Sequence, residues 1–110
     1  MPSPVNDDQR TDNRISVDIL LNKYISGRPY LAQATNLSST GMRVRRLFEP
    51  QNRETHVGLQ FQLPGSDRVI SCAGRIVHLG EQAESVGVAF TQISGEHRQL
   101  IETFIAARAA

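Results

Sequence analysis

From Ile15 onward, apolar and polar side chains alternate with a period of two along most of the chain. Ile15, Val17, Ile19 and Leu21 are interleaved with Ser16, Asp18 and Asn22, the pattern of a strand with one face buried and the other in water. Ser26-Gly27-Arg28-Pro29 supplies a turn, and Tyr30 to Leu37 reads as a second, less regular strand. Gly41 interrupts it. Met42 and Val44 then restart the alternation, with Arg43 and Arg45 on the opposite face. Glu49-Pro50-Gln51-Asn52 reads as a loop. Val57, Leu59, Phe61 and Leu63 alternate with Gly58, Gln60 and Gln62, and Pro64-Gly65-Ser66-Asp67 is a strong turn signal. Val69 to Leu79 is a longer strand, and Val86, Val88 and Phe90 mark a sixth.

The period then changes. Ser94 is suited to cap a helix, and Glu96 in the first turn complements the helix dipole. Leu100, Ile101, Phe104 and Ile105 fall on one helical face. Six strands at roughly 8–12-residue spacing followed by one helix predict a small antiparallel barrel. The helix stripe is expected to pack over a barrel opening or edge. The fold class is therefore all-β with one helix: a six-stranded antiparallel β-barrel capped by a C-terminal α-helix.

Length and composition narrow the class further. The chain has 110 residues, 39% hydrophobic and 21% charged, which fits one folded domain able to bury a core without staples. Residues 1–8, rich in Pro, Ser and Asp, read as a loose tail. The domain is placed at 9–110, with an arm at 9–14, the barrel at 15–93 and the helix at 94–108. Twelve cations stand against 11 acids, a net charge of +1, so any basic site is local rather than global. All the cations but Lys23 are Arg, whose planar donor fork suits phosphate and guanine edges.

Several chemistries lack their residues. Lys23 precedes Tyr24, so there is no phosphate loop ending in Lys-Ser or Lys-Thr, and there is no Gly-x-Ser-x-Gly elbow. His56, His78 and His97 have no partners at metal-ligand spacing, so no metal site and no cofactor are expected. Cys72 lies in an apolar strand pattern and reads as a buried, inert thiol. A single Cys fits a reducing compartment. No apolar run approaches the ~18 residues of a membrane span, and no apolar leader is visible. A cytoplasmic protein without catalytic residues is expected.

Two motifs remain. Arg10 and Arg14 form an Arg-x-x-x-Arg, and Asn36, Ser38 and Gly41 form an Asn-x-Ser-x-x-Gly at the junction of the second and third strands. At this Arg content the first arises about once by chance, whereas the second is expected only about 0.06 times. Physically, Arg can pair bidentately with phosphate oxygens or with guanine O6 and N7, and can stack on a base. The Asn36 amide can address a guanine edge, and Ser38 adds a small hydroxyl. Gly41 lets the backbone turn sharply and a flat base approach closely.

Together the motifs resemble the PilZ family, the bacterial receptor domain for cyclic di-GMP, over about Gln9 to Ile105. Pro64 in a turn, Gly74-Arg75-Ile76-Val77 in a long strand and Gly87-Val88-Ala89-Phe90 before the helix agree with it. The resemblance implies a six-stranded barrel with a C-terminal helix. It also implies cyclic di-GMP as ligand, bound by Arg10, Arg14, Asn36, Ser38 and Gly41. His78, near a position where some relatives carry a stacking aromatic, together with Arg75 and Arg43, are secondary candidates. Relatives with consecutive arginines have an extra contact for a second ligand molecule, which Gln9 and Thr11 do not supply. The expected function is to bind the nucleotide, order the N-terminal arm and signal to a separate protein partner, as a monomer or weak dimer. The alternative is an interaction adaptor that does not bind the nucleotide. With two Tyr, four Phe and no Trp, the barrel lacks the stacking surface of a single-strand binder, so no DNA or RNA partner is expected.

Overall fold

The computed structural model describes residues 13–50, 53–79 and 84–109. Its strands are β1 (Ile15–Ile25), β2 (Arg28–Leu37), β3 (Gly41–Arg46), β4 (His56–Gln62), β5 (Val69–Leu79) and β6 (Ser85–Gln92), followed by helix α1 (Gly95–Ala109). They close into a barrel in the order β1-β2-β3-β6-β5-β4, with every neighbouring pair antiparallel. The tail at 1–8 and most of the arm, Arg10 included, lie outside the described residues, as do Gln51 and Asn52 of the expected loop.

The period-two pattern becomes the barrel wall. Ile19, Leu21, Ala32, Ala34, Val44, Leu59, Phe61, Ile70, Val86 and Val88 all point inward and are buried. The β1–β2 turn is tighter than the sequence suggests. Ser26 (φ 52°) and Gly27 (φ 82°) make a two-residue connection, the geometry whose twist matches the flanking strands. Arg28 and Pro29 therefore belong to β2, opposite Ile25 and Tyr24.

The ring order sets what lies at each mouth. β3 and β4 are consecutive in sequence but sit across the barrel from one another, so the chain between them crosses one mouth. There Glu49 meets Lys23, which shares the inward phase of Ile19 and Leu21. Lys23 Nζ lies 2.8 Å from Glu49 Oε1, with both side chains at 1% exposure or less, and Arg46 Nε lies 3.3 Å from Glu49 Oε2. The opposite mouth is covered by α1, whose Ile101 and Ile105 are buried and whose Leu100 and Phe104 pack on the core. Ser94 caps the helix as expected: its Oγ accepts from His97 N at 3.1 Å.

Candidate functional site

The site grows from the end of the β2–β3 hairpin. Leu37 pairs with Met42, and the residues between them form a turn closed by Ser38 N donating to the Gly41 carbonyl at 2.8 Å. Ser38 is fully buried. Its Oγ accepts from Thr40 N at 3.2 Å and from Gly41 N at 3.1 Å, and lies 3.1 Å from Thr40 Oγ1. This hydroxyl holds the motif's own backbone, as Ser commonly does in turns.

Gly41 differs from expectation in its reason. Among the described glycines only Gly27 and Gly65 have positive φ, so Gly41 makes no left-handed turn. What it provides is space. It pairs with Ala89 of β6, and a Cβ there would collide with the Val88 carbonyl oxygen. The glycine lets β3 and β6 meet where the motif ends.

Asn36 is the hub. Its Oδ1 accepts from the Arg43 backbone N at 3.0 Å and from Arg14 Nη1 at 2.8 Å. A register shift between Ala34 and Asn36 breaks the β2–β3 ladder at this point, and the side chain accepts the strand donor instead. Asn36 thus ties the chain entering β1 to the β2–β3 hairpin. The Arg43 guanidinium lies beside Ser85 Oγ, with Nη1 at 3.4 Å.

Arg14, Asn36, Gly41 and Arg43 share the wall of one surface pocket of about 240 Å³, completed by Val77 and the β6 backbone around Gly87. Among the described residues, two guanidinium-bearing side chains and no carboxylate line it, a lining that favours an anion. Its volume is below the roughly 300–1,000 Å³ that enclose a whole drug-sized ligand. It suits one flat portion of a larger molecule, the rest remaining outside. A groove of about 290 Å³ elsewhere on the barrel, between Leu20, Leu31 and Val69, carries no charged side chain.

The secondary candidates separate. Arg43 is in the pocket wall. Arg75 is exposed on the outer face of β5 and is not among the lining residues. His78 is placed by its backbone opposite Gly87, and its side chain lies outside the described ones. Among the described β5 side chains, Val77, 54% exposed, lines the pocket. A register shift between Ile76 and His78 inserts Val77 as an extra residue on β5, so the strict alternation of faces along β5 is broken there. An exposed Val within an alternating run signals such a break only once the partner strand is known.

Among the described residues, no group of three or more His, Cys, Asp or Glu side chains could hold a metal ion. Cys72 is half-buried, and burial pushes its thiol up to about 11, far from the thiolate a nucleophile requires. No described helix is long and apolar enough to cross a membrane.

Comparison with known proteins agrees with this fold. A closed six-stranded antiparallel barrel followed by one C-terminal helix defines the fold class. The PilZ domain model matches residues 8–107, so the chain belongs to the PilZ domain family, a family of receptor and adaptor domains. Among solved structures, the Bacillus subtilis inhibitor of motility MotI superposes with a TM-score of 0.74 at 14% identity, covering 91% of this chain and 51% of that one. The PilZ domain of CeSA from a cellulose-synthesizing bacterium gives 0.64 at 15% identity, covering 88% and 98%. Borreliella burgdorferi PlzA, solved in complex with c-di-GMP, gives 0.56 at 19% identity, covering 90% and 36%. The chain thus spans about half or less of MotI and PlzA. No curated protein sequence matches it significantly.

Proposed function

We propose that this chain is a cytoplasmic receptor for cyclic di-GMP, seating one face of the nucleotide in the pocket between Arg14, Asn36, Gly41 and Arg43. The observation that carries this reading is the convergence of Arg14 on Asn36 at 2.8 Å beside a pocket to which the described residues bring two arginines and no acid. The two residues belong to separate motifs, 22 positions apart. Arg14 supplies a fork for a phosphate or a guanine edge. Asn36 orients that fork and offers its amide to the base. Ser38 and Gly41 act by shaping the turn, and Val77 presents an apolar face to the flat ring. Arg10, one motif step before Arg14, supplies a second fork over the part of the ligand the pocket does not enclose. Ordering of the 9–14 arm then signals to a separate protein partner.

Calorimetric titration with cyclic di-GMP tests this reading. Saturable binding is expected, weakened at least tenfold (about 1.4 kcal/mol) by Arg14→Ala and by Arg10→Ala. Asn36→Ala should weaken binding while lowering stability only modestly. Absence of binding by the unmutated chain at high micromolar ligand would overturn it. One observation favours the adaptor alternative: the Ser38 hydroxyl is engaged within its own turn and offers a ligand little beyond shape.

A further inference from the structure

The turn that carries the Asn-x-Ser-x-x-Gly motif has two sides. One side faces the pocket through Thr40 and Gly41. The other faces α1. There Arg98, one turn into the helix, extends its guanidinium to the turn, and Nη1 donates to the Ser39 carbonyl at 2.8 Å in a part-buried position. The neighbouring Thr40 carbonyl accepts from Phe90 N of β6 at 2.8 Å. The turn's backbone is thus shared between itself, β6 and α1, and only the last connection comes from a side chain of the helix.

A second, independent link runs through the chain entering β1. Asn13 and Arg14 are adjacent, yet they border different spaces. Arg14 lines the pocket, whereas Asn13 lines a cavity on the far side of the turn together with Ser39, Glu102, Ile105 and Ala106. Any ligand that draws on Arg14 and the turn acts on two elements that already touch α1. A charge-assisted hydrogen bond is among the stronger polar contacts, and the Arg98–Ser39 bond is part-buried, so it stiffens the connection.

We propose that Arg98 is a positioning residue of the nucleotide pocket, and that through it α1 and the pocket regulate one another. This deepens the receptor function proposed above and rests on it for the ligand. Coupling between two sites is reciprocal. Ligand in the pocket tightens the seating of α1, and a partner that grips or unseats α1 shifts nucleotide affinity by the same factor. No residue of the helix stripe lines the pocket, and of the two links Arg98 is the one that a single side-chain change removes.

The test combines amide exchange and titration on the full chain, with Arg98→Ala as the variant and Arg108→Ala as a helix control that leaves the turn alone. Without ligand, Arg98→Ala should speed exchange at Ser38, Thr40 and Gly41 while leaving β4 and β5 unchanged. With cyclic di-GMP, affinity should fall at least fivefold in Arg98→Ala and stay within twofold in Arg108→Ala. In the unmutated chain, ligand should slow exchange in the first half of α1, an effect lost in Arg98→Ala at saturation. Arg98→Lys, which keeps the charge but loses the fork, guards against a folding artefact and should fall between. Unmutated affinity in Arg98→Ala, or an α1 indifferent to ligand, would overturn the regulatory link. If the unmutated chain binds no cyclic di-GMP, the receptor function fails first. The ligand-free exchange then still decides the positioning role, which falls if turn exchange in Arg98→Ala is unchanged.

Discussion

At the scale of single residues, two of the motif positions work through the backbone. Gly41 is the clearer case, because the atom a Cβ would strike is a backbone oxygen of β6 rather than a movable side chain. Gly41→Val is therefore expected to cost about 1–3 kcal/mol through overpacking and to lower nucleotide affinity together with the melting temperature. Unchanged melting in that variant would show that β3 and β6 have slack at this point. Lys23 makes a different demand. Removing Lys23 takes one of two cations from the buried Glu49 carboxylate, Arg46 remaining at 3.3 Å, so the loss is expected at or below the about 3–5 kcal/mol of a fully broken buried pair. Lys23→Met should show a loss of that size by urea denaturation, and adding Glu49→Gln should recover a good part of it. The inward phase of Lys23 is plain from its spacing after Ile19 and Leu21. Its partner was not legible, because Glu49 belongs to a connection whose course depends on how the barrel closes.

At the scale of elements, the strands were legible because each carries its own period, and α1 because its stripe and Ser94 cap are local. What local pattern does not encode is which strands meet. The β3–β6 and β1–β4 pairings join distant segments, and the register shift at Val77 belongs to the β5–β6 ladder. The same limit explains the candidate site. Arg14, Asn36 and Gly41 stood out as motif residues, but Val77 and Arg98 had no sequence signal beyond an exposed apolar residue and a helix arginine. The helix stripe also sets an energetic expectation. Ile101 is wholly buried over the mouth of the barrel, so Ile101→Ala should cost about 2–5 kcal/mol in denaturant melts. A cost below about 1 kcal/mol would mean that the helix is not seated there in solution.

At the scale of the whole molecule, the barrel closes through β1 and β4 at Asn22–Tyr24, which leaves less of the open strand that invites aggregation. Alkaline stability is governed in part by Cys72. Its thiol is pushed by burial from its ordinary value near 9.0 up to about 11, so the folded state favours the protonated form. Between those values the unfolded chain releases its proton and the folded chain does not. The Cys72 contribution is thus intact below about pH 9 and is lost as pH rises to about 11. Stability measured from pH 8 to 11 should fall more steeply in the unmutated chain than in Cys72→Ala, and equal slopes would show that the thiol is not buried. Lys23 carries a consequence of another kind. It is the only lysine in the sequence, and it is sealed inside the barrel. Amine-directed chemistry, whether an activated ester at the bench or an enzyme that acylates or tags lysine side chains in a cell, therefore meets a folded molecule with no side-chain target. The rate at which Lys23 becomes modified is a clock for the opening of the barrel itself.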